Sequence, residues 1–238
     1  MSPIFAIIER ELKAYFVSPI AYVVIAMFLA LSGYFFAAIL FLTKDASMTY
    51  QLSNMAVILL LLSPMISMRL LAEEQRQGTL ELLCTSPITD AGIVIGKYVA
   101  ALGLLAVMLL FTGYGPAILF MYAKPELQPI LSGYLGLFLV GAAFLAIGVM
   151  ASAWTKNQIV AAAISFAICL ILWILGASSS MAAGGSWGSE LINYLALEPH
   201  FGSFVKGVFD TSDIIYYFSL SAVAIFIAIR SLESRRWR

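Results

Sequence analysis

Between Pro19 and Leu42 the chain runs without one charged side chain. Five more long apolar runs follow. A helix that crosses a bilayer needs about 20 largely apolar residues. Six stretches meet that need: residues 19–42, 52–71, 92–121, 129–154, 159–177 and 214–229. Backbone polar groups cannot stay unpaired in hydrocarbon, so such stretches span as helices. The remainder of the chain agrees. Of 238 residues, 62% are hydrophobic and 11% charged, whereas a soluble domain carries about 25% charged residues. The sequence predicts a single all-α polytopic membrane domain over residues 1–238.

Six spans put both termini on one side of the membrane, and the distribution of Lys and Arg sets which side. The termini, the stretch 68–97 and the turn at Lys156 hold Arg10, Lys13, Arg69, Arg76, Lys97, Lys156, Arg230, Arg235, Arg236 and Arg238. The opposite side holds Lys44, Lys124 and Lys206. That asymmetry predicts cytoplasmic termini. The N-terminal sequence carries charges where a removable signal peptide would be apolar.

Residues 1–18 predict a helix in the membrane interface. Ser2-Pro3 is a helix start. Ile4, Phe5, Ile8, Leu12, Tyr15 and Phe16 repeat at helical spacing, with Glu9, Arg10 and Lys13 opposite and Glu11 at the edge of the apolar face. Ser18-Pro19 restarts the chain as the first span. Pro64 falls inside the second span, where a proline frees a carbonyl and kinks the helix. It is a candidate hinge.

Residues 68–97 form an island of charge between two apolar runs. Glu73, Glu74 and Arg76 lead to a break at Gly78. Thr79-Leu80-Glu81-Leu82-Leu83 then reads as a short helix, and Thr85-Ser86-Pro87 as a turn with a fresh helix start before Asp90. A short helix that projects from a membrane with apolar and acidic groups suits the docking of a soluble subunit.

Several chemistries are excluded. Gly92-Ile-Val-Ile-Gly96-Lys97-Tyr98 has three residues between its glycines and a Tyr after the Lys, whereas a phosphate loop needs four and a Ser or Thr. His200 is the only histidine, which leaves no catalytic triad or catalytic zinc set. It sits beside Pro199 and reads as a packed or exposed loop residue, not a ligand. Met55, Met65 and Met68 do not share a helical face, so a thioether metal path is not expected. Cys84 and Cys169 suggest neither a disulfide nor a metal site. A formal charge of zero gives no reason to expect a nucleic-acid partner. No span carries a charge at its middle, which argues against an ion-coupled carrier.

The stretch 178–213 is the long outer connection. Its first part is rich in small residues and predicts a flexible link. Its second part is amphipathic and predicts short re-entrant or interfacial helices. Ser32, Thr43, Thr112, Ser132, Ser152 and Ser165 are among the few polar points in or near the spans. So apolar a lining suits an amphiphilic substrate, or none, over a sugar or an ion.

The segment EEQRQGTLELLCTSPITDAGIVIGKY resembles the signature of ABC-2 type transporter permeases. The tail HFGSFVKGVFDTSDIIYYFSL resembles that family's last outer loop and sixth span. The likeness covers essentially the whole chain and lies nearest to permeases of gliding-motility and copper-enzyme-maturation (NosY-like) complexes. It implies an interfacial helix (1–18), spans 1–2 (19–72), a cytoplasmic coupling segment (73–91), spans 3–5 (92–177), an outer loop (178–213), and span 6 with a basic tail (214–238).

The resemblance further implies a permease without an ATPase site of its own. It would bind no cofactor, ATP and Mg being held by a partner cytoplasmic ABC ATPase, and would sit as one of two copies in a bacterial inner membrane. ATPase coupling would fall to Glu73, Glu74, Arg76, Gly78, Thr79, Leu80, Glu81, Leu82, Leu83, Thr85, Ser86 and Pro87. Tyr194, Phe201 and Phe204 would form an outer gate. The expected activity is ATP-driven export. The alternative is mechanotransmission to a periplasmic partner with no solute crossing.

Overall fold

The computed structural model describes residues 3–43, 47–79, 88–123, 125–181 and 194–235. Among them the chain forms ten helices: α1 (Pro3–Val17), α2 (Pro19–Thr43), α3 (Thr49–Ser67), α4 (Arg69–Gln77), α5 (Asp90–Phe111), α6 (Tyr114–Tyr122), α7 (Leu127–Trp154), α8 (Gln158–Met181), α9 (Leu197–Val205) and α10 (Thr211–Arg235). Six passes are long and apolar enough to cross a membrane. They are Pro19–Leu42, Thr49–Gln77, Asp90–Tyr122, Leu127–Trp154, Gln158–Gly176 and Thr211–Ser234. The six expected spans are all present. The second runs about one and a half turns beyond its expected end, because α4 continues α3 as a polar extension.

The fourth pass is the axis of the bundle. Of its most apolar stretch 89% is buried, against 28% for the first pass and 22% for the fifth. Its sequence explains the position. Glycines let neighbouring backbones close in where the hydrophobic effect does not drive helices together. Leu52 of α3 fills the space beside Gly133, Phe204 of α9 that beside Gly136, Leu105 of α5 that beside Gly141, and Ser67 of α3 that beside Gly148. A methyl added at Gly136 would lie 2.7 Å from Phe204 Cβ.

α1 packs along α5. Ile4 lies against Gly92, Ile7 against Gly96 and Leu12 against Gly103, so the two helices advance in the same chain direction. Ile7 is buried, whereas Phe5 and Phe16 are exposed. The packed face of α1 therefore centres on Ile7 and Glu11, rotated from the apolar face read from its spacing. Lipid and protein both accept apolar side chains, so apolar spacing alone does not separate them.

Candidate functional site

α1, α4 and the first turns of α5 meet at one end of the bundle. Thr89 opens α5, its Oγ1 accepting a hydrogen bond from Gly92 N at 3.1 Å. Two turns on, the helix delivers Lys97 into the interior, 1% exposed. Its ammonium lies 3.0 Å from Glu11 Oε1 and 2.9 Å from Glu74 Oε1. Arg10 Nη2 reaches the same two carboxylates, at 2.6 Å and 3.1 Å. Two cations and two anions thus share one site and sum to zero. That balance matters because an uncompensated charge in such a place costs several kcal/mol.

The local electrostatics follow. Burial opposes the charge on Glu11, but Lys97 and Arg10 outweigh it and hold the carboxyl below its usual range. Burial likewise works against Arg10, and Glu11 with Glu74 overcome it and raise the guanidinium's pKa. Burial pushes the Tyr15 phenol well above its ordinary value, and its hydroxyl donates to Ile66 O at 3.1 Å. The α1 helix is thereby tied to α5 by ion pairs and to α3 by a hydrogen bond.

The sequence-predicted coupling residues divide. Glu74 is turned inward to Lys97 and Arg10. Glu73 accepts from Arg69 Nε at 2.9 Å and from Gln77 Nε2 at 3.3 Å. Arg76 is exposed. Gly78 ends α4 with φ 71°, the left-handed conformation that favours glycine. Thr79 follows it. Leu80, Glu81, Leu82, Leu83, Thr85, Ser86 and Pro87 lie outside the described residues, as does Cys84. Both ends of the segment are nonetheless in view: Gly78 closes α4 and Thr89 opens α5. A cleft of about 300 Å³ opens beside the ion network. Tyr15 of α1 and Arg69, Glu73 and Gln77 of α4 help to line it.

The α3–α4 junction sits deeper. Pro64 is buried three residues before the end of α3, and its carbonyl accepts from Met68 N at 2.9 Å. α4 restarts at Arg69. Its early amides Leu71 N and Ala72 N both donate to Ser152 Oγ of α7 at 2.9 Å, and that hydroxyl lies 3.2 Å from Met68 O. Gln75 Nε2 adds bonds to the carbonyls of Ser152 and Ala153, at 3.3 and 3.2 Å. One serine on the central helix therefore caps the restarted helix. Gly148, one turn earlier on α7, receives Ser67.

At the opposite end, α9 inserts between α7, α8 and α10. Phe201 and Phe204 are buried at 2% and 0%, whereas Tyr194 is 62% exposed. The expected gate residues are thus two core side chains and one surface ring. His200 Nδ1 lies 2.6 Å from Asp213 Oδ1 and Nε2 lies 3.1 Å from Tyr194 O. Its ring stacks on Tyr216 at 4.1 Å. Tyr216 and Tyr217 of α10 donate to Leu195 O at 2.7 Å and Leu197 O at 2.8 Å. His200 is therefore a packed structural tie between α9 and α10, and it lies within helix α9 where the sequence suggested a loop. Among the described residues, no three His, Cys, Asp or Glu side chains gather to hold a metal ion. Met55 is buried and Met65 exposed, in keeping with the faces read from the sequence.

Among the pairings that sequence reasoning missed are Lys97 with Glu11 and His200 with Asp213. A signal existed for the first: a lysine several residues inside an apolar run needs a counter-charge. The second had only a possible geometry, since Gly207 turns the chain between α9 and α10 at φ 88°.

A family model described as "ABC-2 family transporter protein" matches residues 16–187, nearly three quarters of the chain. The match takes in the first five passes and the charged segment between the second and third. The comparison with curated proteins returns no match. On that match, and with six apolar passes broken by a charged segment rooted in the bundle, the chain belongs to the ABC-2 transporter family, the membrane component of ATP-binding-cassette systems.

Proposed function

We propose that this chain is the permease half of an ATP-driven exporter in the bacterial inner membrane, with both termini cytoplasmic. Two copies pair, and each docks a separate ABC ATPase on the segment 77–90. The observation that carries this reading is the shared root of that segment. Glu74 lies just before it on α4 and Lys97 just after it on α5, and they form one buried ion pair at 2.9 Å. A push on the segment then moves α4 and α5 together, with α1 attached through Glu11. Pro64 and the α3–α4 junction are where that motion bends the second pass. At the outer end, Tyr194, Phe201 and Phe204 gate the path on α9 and the stretch before it. The apolar passes suit an amphiphilic substrate.

The test is reconstitution in lipid with the ATPase encoded beside this chain. ATP turnover is expected to rise with the permease present and to collapse with Glu81→Lys or Gly78→Pro. Wild-type turnover in both variants overturns the docking assignment. Permease-dependent turnover with no amphiphile moved, but with a periplasmic partner displaced, replaces export by mechanotransmission.

A further inference from the structure

Of the most apolar stretch of the second pass, 72% is buried. Beyond Tyr50, the exposed positions of α3 fall every fourth residue from Ser53, with Val57 at 44%, Leu61 at 50% and Met65 at 37%. Met68, with φ −56° and ψ −31°, joins α3 to α4. Arg69, Glu73 and Gln77 continue the four-residue spacing from Met65 into α4, and all three line the cleft of about 300 Å³ beside the ion network. An exposed apolar stripe thus leads into a polar cleft at the level where the passes end. That is the outline of an amphiphile, with a chain on the stripe and a headgroup in the cleft. The volume lies at the small end of ligand pockets, about 300–1,000 Å³, which fits a headgroup.

The lining charges identify the headgroup. Lys97 is consumed by Glu11 and Glu74. Arg10 remains half exposed, and Arg69 and Glu73 remain 29% and 28% exposed. Arg69 spends Nε on Glu73 and Nη1 on Ser18 Oγ at 3.1 Å, which leaves Nη2 to donate. Guanidinium groups favour phosphate through forked hydrogen bonds. The carboxylate of Glu73 beside them disfavours a second negative charge and accepts from an ammonium.

We propose that this cleft binds a zwitterionic phospholipid carrying a primary amine. Arg69 and Arg10 hold the phosphate, Glu73 accepts from the amine, and an acyl chain lies along Val57, Leu61 and Met65. The site needs only membrane placement and stands apart from the ATPase reading.

Native mass spectrometry of the delipidated full chain in detergent tests it, with phosphatidylethanolamine, phosphatidylglycerol and free glycerophosphoethanolamine as probes. Phosphatidylethanolamine is expected to bind about tenfold more tightly than phosphatidylglycerol, the scale of one charge-assisted hydrogen bond. Arg69→Gln weakens both lipids. Glu73→Gln erases the preference between them and leaves the melting temperature and monodispersity unchanged. Met65→Ser weakens the lipids alone. Equal binding of the two lipids by the wild type overturns the proposal, as does an Arg69→Gln variant that binds normally. Free headgroup that binds as tightly as lipid also overturns it, because the stripe would then be idle.

Discussion

Removing the Lys97 ammonium leaves Glu11 and Glu74 facing a single exposed-side cation, Arg10, where two cations stood before. Breaking a buried pair from one side costs about 3–5 kcal/mol, so Lys97→Met is expected to lower the melting temperature in detergent sharply. Glu74→Gln in the same chain should recover part of that loss, because one stranded charge goes with the partner. A double variant no more stable than Lys97→Met alone contradicts the pairing. Acid probes the same cluster. The Glu11 carboxyl lies below its ordinary range in the fold, so the folded state binds fewer protons there than the unfolded state does. The resulting stability is full above an ordinary glutamate's pKa of about 4.3. It is lost as pH falls through the lower folded value. Melting temperature should hold steady from neutrality to about pH 5 and fall below about pH 4, and Glu11→Gln should flatten that fall. An equal fall in the variant assigns the acid sensitivity elsewhere.

Among the helices, the α4 junction depends on a hydroxyl that does not belong to it. Leu71 N and Ala72 N give their bonds to Ser152, so Ser152→Ala strands two buried amides at a cost of about 1–3 kcal/mol. The expected readout is faster amide exchange confined to α4, with α7 unaffected, and unchanged exchange at Leu71 and Ala72 removes the capping role. The sequence showed the existence of these helices far better than their connections. Long runs such as 129–154 declare a membrane helix, and Gly78 declares the end of α4 through its lack of a side chain. Which face of a pass meets protein is a different matter. In hydrocarbon, Leu against Leu and Leu against lipid differ little, so neither the offset face of α1 nor the centrality of α7 is written in hydrophobic spacing. The glycines at 133, 136, 141 and 148 were the available sign of α7's position. For the site, Glu73, Glu74 and Gly78 were legible as one local run. Lys97 with Glu11, 86 residues apart, and Ser152 with Leu71, 81 apart, were not, because only tertiary packing brings them together. His200 and Asp213 are 13 apart, and they needed the turn at Gly207.

Across the whole molecule, the proposed docking of an ATPase raises the question of how a push at one end would reach the other. The ion network fastens α1, α4 and α5 to one another, and Ser152 fastens the α3–α4 junction to α7. The α7 helix in turn holds α9 through Gly136 against Phe204 and through Ser132 Oγ donating to Phe204 O at 2.6 Å. These contacts make a continuous physical route from the segment after Gly78 to the helix that carries Phe201 and Phe204. Spatial continuity is not coupling until a perturbation along it changes the response at the far end. A single cysteine at exposed Val208, in a Cys84→Ser background, supplies the reporter, since Cys169 is buried. In the reconstituted complex, ATP is expected to change the rate of maleimide labelling at that position several-fold. Glu74→Gln should keep most of the ATP turnover yet lose that change, because the ATPase still docks while the α4–α5 tie is weakened. Turnover and labelling lost together would place Glu74 in docking, and a labelling response as large as the wild type's would remove the network from the route.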